Sequence, residues 1–509
     1  MSQFTKIAAA TLLAAASMVA CGDDEDSPDD GTGGRAATGG RTGTGGSDEG
    51  GETSTGGKAT TGGKTGTGGT NGTGGSVNPP GGEGGGSGEG GGGNEDGAIP
   101  LAADCDLSGQ GLAREPIVSD DGDTIFEDGE DLTLTNDRVW TLEGYVEVRD
   151  GATLTIEPCT RIEGTKDPIG VLFVERGGKL EAAGTAAEPI LFTSSAASPA
   201  AGDWGGIVLL GRAPTAKGEA AFEGVPDAPE FSYGGDDEGD SSGTITYTKI
   251  EYSGYLFLAD KEVNGLSMAG VGSGTTLHHI MVSNTNDDCF EWWGGNVDDA
   301  DFLICNNPGD DMFDGDEGWV GGGKNWFGRT TSDAAITSPD PNGFEWDSLL
   351  AGTPPVSAIS ASNVTLCGAG QFELPSNGMV LRELVTGSID NAVIAGWDFG
   401  VDARDTFVDG DDPHVTISNS ILFGLPIVNP SDNNGQDTPG DKAFDEEAWF
   451  SDGAGNSYEA DESDGPFTLE ACLEADGPGA AVVESGVGAF KESATWVRDE
   501  WTTIGGGWE

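Results

Sequence analysis

The stretch LHHIMVSNTNDDCFEWW, residues 277–293, is followed by ADFLICNNPGDDMFDGD, residues 300–316, and the two match at a constant offset of 23 residues. The pattern Ile-x-Val of the first copy matches Leu-x-Cys of the second, and Asp-Asp-x-Phe-Glu matches Asp-Asp-x-Phe-Asp. Looser copies follow at residues 342–346, 389–402 and 415–424. A period in the twenties that is composed of short strands is typical of one turn of a β-solenoid, in which matched side chains stack.

Beyond its N-terminal fifth, the chain consists largely of short alternating apolar runs separated by Gly, Asn and Asp, as at residues 152–156, 207–210 and 245–250. This pattern predicts β-strands. Helix-like patterns are confined to residues 442–450 and 469–473. A β-sandwich or a propeller is the alternative, although a propeller would need a period of about 40 residues or more. The sequence therefore predicts an all-β chain folded as a β-solenoid, with a small irregular C-terminal cap.

The composition argues against nucleic acid as a partner. The chain has 88 acidic and 23 basic residues and a formal net charge of -65, whereas phosphate contacts require Lys and Arg. Such a charge serves solubility or the binding of hard cations. The three histidines are His278, His279 and His414. Because neighbours on a strand point to opposite faces, the adjacent pair is predicted to be a poor chelate, and neither a zinc site nor a histidine-dependent triad is expected.

The N-terminus has the features of an export signal. Residues 1–20 begin with the positive charge of Lys6 and continue as an apolar run that is too short for a bilayer, which needs about 20 residues. The segment Met18-Val19-Ala20-Cys21 resembles the lipobox of bacterial lipoproteins, which implies cleavage before Cys21 and acylation of its thiol. An ordinary secretory peptide with an unmodified cysteine is the alternative.

The segment after Cys21 is rich in Gly and Thr. It has too little apolar surface to offset the entropy of ordering, so a disordered tether is predicted, with a span on the order of 50 Å. The predicted location is the bacterial cell envelope, lipid-anchored at the outer membrane or cell surface. The predicted units are a signal peptide at 1–20, the lipidated cysteine and linker at 21–98, a β-helix domain at 99–430 and the C-terminal cap at 431–509.

The remaining cysteines are even in number, which favours disulfides in an exported chain. Three bonds are predicted. One is Cys105–Cys159, and Cys289 is predicted to pair with either Cys305 or Cys367. The six cysteines are Cys105, Cys159, Cys289, Cys305, Cys367 and Cys472.

Several stretches resemble a widespread group of exported bacterial right-handed parallel β-helix proteins of the pectate-lyase-like class. They include ATLTIEPCTRIEG at residues 152–164, GDWGGIVLLGRAP at residues 202–214 and the repeat region itself. The resemblance is dense over residues 139–347, thinner to residue 429, and returns at 487–502. Cys159 stands where the group usually has Gly. The resemblance implies that the β-solenoid is a right-handed parallel β-helix at the cell surface, but it does not imply a reaction.

The acidic pairs of the repeat are the best candidates for a functional site. Matched positions of neighbouring turns lie about 4.8 Å apart, so the carboxylates of the copies would stack, with Glu345 as a further member; we call this set the acidic ladder. Carboxylates that close repel one another, and Ca²⁺, which takes about 6–8 oxygen ligands, would relieve the repulsion. A solvated acidic turn is the alternative. The predicted calcium ligands are Asp287, Asp288, Glu291, Asp310, Asp311 and Asp314.

Two enzyme classes offer alternatives. Asp-Asp-Cys at residues 287–289, followed by Gly-Gly-Asn at 294–296, resembles a segment of polygalacturonases, which hydrolyse pectin with paired carboxylates. The Gly-His-Gly and Arg-Ile-Lys segments of those enzymes are missing from this sequence. Pectate lyases instead pair calcium with a basic residue, for which Arg329, Arg382 and Arg404 are candidates. No catalytic residue is predicted.

Aromatic residues in the same repeats suggest sugar binding, since sugar rings stack on flat aromatic faces. Inward packing is the alternative, because alternate residues of a strand point inward. The candidates are Trp292, Trp293, Trp319, Trp326 and Trp346.

Two classes of function follow. The first, which the sequence favours, is a monomeric, non-catalytic surface module that binds extracellular polysaccharide or other surface material and is stabilised by calcium. The alternative is a calcium-dependent polysaccharide lyase or glycoside hydrolase. A basic residue that converges on the acidic ladder in an open groove would favour the enzyme, and a carboxylate cluster without a base would favour the binding module.

Overall fold

The computed structural model of the chain describes residues 99–119, 122–222, 231–258, 261–332, 335–349, 353–370, 372, 375–404, 414–423, 446–459, 469–474, 477–491 and 496–503. The predictions for residues 1–98, which include the signal peptide, Cys21 and the linker, lie outside the described residues, as does the predicted boundary at residue 430. Within the described part, no helix is both long and apolar enough to cross a membrane.

Short strands make up most of the regular structure. In chain order, the strands β1 to β30 of the described residues are Arg114–Pro116, Ile125–Phe126, Leu132–Leu134, Val139–Leu142, Tyr145–Val148, Thr153–Ile156, Arg161–Gly164, Val171–Val174, Lys179–Ala183, Ile190–Ser194, Ile207–Leu210, Ala220–Ala221, Ser232–Tyr233, Gly243–Glu251, Leu256–Leu258, Lys261–Glu262, Leu266–Ala269, Thr276–Ser283, Phe290–Trp293, Asp301–Asn306, Phe313–Asp316, Val320–Arg329, Asn342–Trp346, Ala358–Cys367, Asn377–Arg382, Thr386–Ala395, Phe399–Arg404, Val415–Ser418, Ile421–Phe423 and Ser457–Glu459. The helices α1 to α3 are Glu446–Asp452, Leu469–Cys472 and Ala480–Val483, and the 3₁₀ helices are Gly488–Phe490, Trp496–Arg498 and Glu500–Thr503. Helices α1 and α2 overlap the two segments with a helix-like pattern.

Most of these strands form a coil of two long parallel sheets. The larger sheet has 16 strands and the smaller has 10. Neighbours within them run parallel, as in β17–β19–β21 and β22–β24–β26. Parallel neighbours need crossover connections, so the chain winds from one sheet to the other and back. The predicted parallel β-helix is confirmed, and crossovers of this kind are right-handed as a rule.

The repeat in the sequence is the register of the sheets. Ile280 pairs with Leu303 in the larger sheet, and Phe290 pairs with Phe313 in the smaller sheet. Both pairs are one 23-residue period apart. Phe313 then pairs with Phe344, a longer interval because a loop precedes β23. The pairing register is therefore kept even in a turn that is longer than 23 residues.

From β14 onward, the larger sheet bends at one left-handed residue in each turn. Strands β9 and β10 pair with the two halves of the nine-residue β14 on either side of Tyr247. Asn is among the residues that most readily adopt a left-handed backbone, and the amide of Asn363 donates to Asn325 at 3.1 Å. The bend divides the larger sheet, so the coil has three faces. The bend residues are Tyr247, His279, Phe302, Asn325, Asn363, Asn391 and Asn419, with φ between 44° and 61°.

Inward side chains from successive turns stack inside the coil. Trp292 stacks on Trp319 with ring centroids 4.3 Å apart, and Phe290 stacks on Phe313 at 5.4 Å. All four side chains are buried. Burying one phenylalanine contributes about 1.5–3 kcal/mol, and a single turn could not bury its own apolar face. The packing of these stacked side chains thus stabilises the turns against one another.

Two elements cover outer faces of the coil. The hairpin β12–β13 lies on the first half of the smaller sheet, where Phe222 and Phe231 pack on Phe173. The C-terminal segment lies along the larger sheet. It buries Phe490, Trp496 and Trp501 against the outward residues Met281, Ile304 and Phe327. The described part of the predicted cap therefore covers a side of the coil.

Three disulfides join elements of the fold. Cys105–Cys159 is confirmed, and its Cα atoms are 5.5 Å apart. Of the two partners left open for Cys289, the structure pairs it with Cys305. Cys367 instead pairs with Cys472 of α2, which attaches the C-terminal segment to β24.

Candidate functional site

The outer face of the smaller sheet carries a first row of carboxylates. Phe290 and Trp292 of β19 belong to the core, so Glu291 between them points outward. Glu291 pairs with Asp314 of β21, and Asp314 pairs with Glu345 of β23. The predicted stacking of these three acids is therefore the observed register.

A second row lies two residues further along the same strands. It begins at Trp293 of β19, which pairs with Asp316 of β21. Asp347 follows β23, and its N–H donates to the carbonyl of Gly315 at 2.9 Å. The row ends at Arg382 of β25, whose guanidinium Nε donates to Asp347 at 2.9 Å. Charged side chains thus lie side by side on three adjacent strands.

The acidic pairs of the repeat lie in the loops that precede β19 and β21, at one end of the first row. Carboxylate oxygens of Asp287, Asp288 and Asp310 lie within 4.8 Å of one another. Those of Asp288, Glu291 and Asp314 do so as well. Asp288 belongs to both groups, so the loop cluster and the first row form one continuous site.

Two aspartates also brace the turns. Oδ1 of Asp288 accepts the N–H of Asp311 at 2.8 Å, and Oδ1 of Asp311 accepts the N–H of Asn342 at 2.6 Å. Asp311 is buried and belongs to neither carboxylate group. The structure therefore places five of the six predicted ligands within the two groups and gives Asp311 a position behind them.

Burial and like charge act together on these acids. Burial raises the pKa of Asp288 well above its usual range, and the neighbouring carboxylates of Asp287 and Asp310 raise it further. Burial likewise raises the pKa of Asp314, with Glu345 adding to the effect. A raised pKa means that the ionised form is costly in the metal-free protein. A cation placed among these oxygens would remove that cost.

Arg382 is a cation that contacts this face. Its Nη2 lies 2.5 Å from Oε1 of Glu345 and 2.9 Å from Oδ2 of Asp347. Burial works against the guanidinium charge, but Glu345 and Asp347 outweigh it and hold the pKa of Arg382 above its ordinary value. Arg382, one of the three arginines considered as bases, therefore lies beside the ladder and is held in its charged form.

The two carboxylate groups could hold a metal ion that prefers oxygen ligands. Ca²⁺ takes about 6–8 oxygen ligands, from carboxylates, carbonyls and water. All side-chain donors of the two groups are carboxylate oxygens, which are hard ligands. Oδ1 of Asp314 and Oδ1 of Asp347 are buried without a hydrogen-bond partner among the described residues, and a buried oxygen of that kind needs a donor or a cation. Asp287, Asp288, Glu291, Asp310 and Asp314 are the residues that would hold it.

The sugar-stacking hypothesis for the tryptophans is wrong. Trp292, Trp319, Trp326 and Trp346 have no exposed surface, and Trp293 is 6% exposed. Four of them point into the coil, and Trp293 lies under Phe222 of the hairpin with ring centroids 5.2 Å apart. Because the core of a three-faced coil is wide, large rings are needed to fill it.

The adjacent histidines do not point to opposite faces, as the strand alternation had predicted, whereas the prediction that they are a poor chelate stays a prediction. Nδ1 of His278 and Nδ1 of His279 lie 3.0 Å apart. His279 is a bend residue with a φ of 53°, so the alternation of a regular strand does not apply to it. Burial lowers the pKa of His279 to about 3, and burial also lowers the pKa of His278.

With this geometry in place, comparison with known proteins agrees with the fold. Residues 125–465 match the family model described as "Pectate-lyase like beta helix domain". The chain belongs to this family. A search of the curated proteins found none that matches. Membership agrees with the parallel sheets and fits a glycan-related role for the domain, and the acidic ladder lies inside the matched region.

Sequence reasoning missed the second row of the site. Asp316 of β21 and Asp347, which directly follows β23, are neighbours, and burial together with the proximity of Asp316 raises the pKa of Asp347. Each lies two residues after a member of the first row. Continuing the alternation of Asp314 and Glu345 by one more outward position would have identified both.

Proposed function

We propose that this chain is an envelope-anchored β-helix module that binds acidic polysaccharide through calcium held on the acidic ladder. The observation that carries the proposal is the convergence of carboxylates from successive turns to within 4.8 Å. Each set of three carboxylates offers three ligand atoms, whereas Ca²⁺ takes about 6–8 oxygens. A calcium ion bound there would therefore have further coordination positions for oxygens of a ligand. Carboxylates of a uronate-containing chain are hard oxygen donors of the same kind.

An acidic chain would otherwise be repelled by this face. The protein has a formal net charge of -65, and Asp314, Asp316, Glu345 and Asp347 lie in the two outward rows. Like charges on both partners oppose association. Bridging by calcium removes the repulsion locally, so binding should require the ion. The buried tryptophans leave the case for neutral glycans without its aromatic support.

The anchor is part of the same proposal. The lipobox-like segment supports lipidation of Cys21, and the Gly/Thr-rich segment after it supports a tether with a span on the order of 50 Å. A stiff coil on such a tether can reach extracellular polymer away from the membrane surface. With that anchor, the acidic ladder would face the cell exterior, where free calcium would be available to it.

Arg382 is poorly suited to serve as the base for cleavage. A guanidinium acts as a base only after it loses a proton, and Glu345 and Asp347 oppose that loss. The position of Arg382 beside a candidate calcium site nevertheless favours a second function, a calcium-dependent polysaccharide lyase. In that function calcium would neutralise part of the negative charge of Glu345 and Asp347. These carboxylates would then stabilise the protonated form of Arg382 less strongly.

A polysaccharide panel separates the two functions. The purified chain is incubated with polygalacturonate, alginate and a neutral glucan, with calcium or with EDTA, and both retention and new unsaturated or reducing ends are measured. We expect retention of acidic chains in calcium alone, with no new ends. Asp314→Asn should weaken retention, whereas Asp236→Asn, an exposed aspartate outside the ladder, should leave it unchanged.

Retention that is equal in calcium and EDTA would contradict the calcium bridge. Cleavage of any acidic polymer that Arg382→Lys abolishes, with the unfolding midpoint unchanged, would replace the binding module with the lyase. Lysine keeps the positive charge beside Glu345 and Asp347 but loses the planar two-donor geometry, so a loss of cleavage would assign the guanidinium itself to the reaction with little disturbance of the charge balance.

A further inference from the structure

A different group of side chains lines an open groove of about 520 Å³ beside the bend of the larger sheet. His278 and His279 of β18 form part of the wall. Asp301 and Lys324, from the next two turns, form another part, and Asp298 and Asp299 lie at the exposed rim. None of these residues belongs to the acidic ladder, which lies on the smaller sheet.

The two imidazoles present the same atom to each other. Their Nδ1 atoms are 3.0 Å apart, and in a neutral pair one of them must carry the shared hydrogen. Two nitrogens bound to one metal at about 2.0–2.1 Å and separated by this distance subtend an angle of roughly 90° at the metal. That angle suits cis positions of a tetragonal site, which is the preference of Cu²⁺ and Ni²⁺ among N- and O-bound metals.

The ring of His279 is held in place on both faces. Tyr247 stacks on one side and Phe302 on the other, each with ring centroids 4.3 Å from the imidazole. All three are bend residues with a left-handed backbone, so their side chains form a column along the coil. A ring fixed in this way loses little rotamer freedom when it binds an ion, which favours affinity.

A carboxylate is placed next to the histidines. Asp301 of β20 is the register partner of His278, so its side chain leaves the sheet on the same side. Oδ1 accepts the N–H of Lys324 at 3.0 Å. Oδ2 lies 3.6 Å from Nζ of Lys324, which is longer than a hydrogen bond. The oxygens of Asp301 do not lie within 4.8 Å of both Nδ1 atoms, so Asp301 contributes negative charge to the groove and is not one of the ligands.

We propose that His278 and His279 chelate a divalent transition metal with tetragonal preference, Cu²⁺ or Ni²⁺, through their two Nδ1 atoms, with water completing the shell. The metal takes the place of the hydrogen between the two Nδ1 atoms, and that hydrogen moves to Nε2 of the same ring. The site is independent of the polysaccharide-binding function and of calcium on the ladder.

The test is electron paramagnetic resonance of the full chain with one equivalent of Cu²⁺, in excess calcium so that ladder carboxylates are occupied. We expect splitting from two imidazole nitrogens. In the variant His279→Asn, at most one imidazole nitrogen should remain coordinated. Its affinity for Cu²⁺ should fall by at least about tenfold, the loss typical of removing even an outer partner of a metal site. Asparagine occupies the equivalent bend position at Asn325, Asn363, Asn391 and Asn419, so the backbone is expected to tolerate it.

His414→Asn is the matched control, because it is the same substitution at the third histidine, which is exposed. It should change neither the spectrum nor the affinity. Circular dichroism and the unfolding midpoint of each variant establish that it is folded. An oxygen-only spectrum of the unmodified chain, or a two-nitrogen spectrum that persists in His279→Asn, would overturn the proposal.

Discussion

Asp314→Asn should change the stability of the domain in opposite directions with and without calcium. Asp314 lies within 4.8 Å of the carboxylates of Asp288 and Glu291. Two full charges at that distance repel by about 3.5 kcal/mol at an effective dielectric constant of about 20. Burial and the neighbouring Glu345 raise the pKa of Asp314. The metal-free protein therefore binds protons more readily at this site, which removes part of the repulsion. Removing the charge should therefore stabilise the metal-free protein by about 1 kcal/mol.

Calcium should reverse this difference. A ligand at a hundred times its dissociation constant adds about 2.7 kcal/mol to a protein that binds it only when folded. If the loss of one carboxylate weakens calcium by about tenfold to a hundredfold, the same concentration adds only about 1.4 to 0.4 kcal/mol. The variant then becomes the less stable protein in calcium, although it is the more stable one in EDTA.

Urea unfolding followed by intrinsic fluorescence measures both free energies. The control is Asp236→Asn, which removes an exposed charge far along the sequence from the ladder. It should change the free energy of unfolding by the same amount in EDTA and in calcium. Unfolding curves of the unmodified chain that coincide in EDTA and excess calcium would refute the reasoning and leave the ladder as a solvated acidic surface. So would a variant that is destabilised equally in both conditions, since that would assign Asp314 a purely structural role.

Three further outcomes are expected. Burial raises the pKa of Glu175 to about 7, from an ordinary 4.5, so its contribution to stability is complete below about pH 4.5 and is lost as the pH rises through about 7. Glu175→Gln should therefore flatten the fall of the urea midpoint between about pH 5 and 8, and an unchanged slope would contradict this. The Cys367–Cys472 bond closes a loop of 105 residues, so the double variant Cys367→Ser, Cys472→Ser should lose about 4 kcal/mol and expose the C-terminal segment to protease, whereas an unchanged cleavage pattern would argue against that attachment. Cys21→Ala should move the protein from membranes to the soluble fraction, and its retention on membranes would exclude the lipid as the sole anchor.

The sequence and the structure agree where stacking sets the pattern. A residue such as Phe290 can stack on its counterpart Phe313 only if the intervals around the coil match, so the interval is visible in the sequence. The acidic pairs follow the same rule, and for that reason the first row of the ladder could be predicted from the residue spacing alone. Asp347 lies one outward position beyond Glu345 and was overlooked, whereas Arg382 follows a longer loop that breaks the interval and was recognised beside the ladder only in the folded sheet.

The errors arose where local alternation fails or where both sides of a strand are buried. His279 has a left-handed backbone, so its ring turns towards His278. Trp293 points outward as the alternation predicts, but Phe222 of a distant hairpin covers it. No local pattern in the neighbourhood of either residue indicates these contacts.

The amino-acid sequence by itself determined that the chain is all-β, that it coils with a period of about 23 residues in the central turns, and that carboxylates of successive turns meet. Only the tertiary structure decided which side chains face solvent, that Cys305 pairs with Cys289, and that Arg382 closes the second row. The physical reason is range. Stacking repeats at fixed intervals along the chain, whereas covering an outer face, closing a disulfide or pairing a charge depends on segments brought together by the coil and separated by loops of variable length.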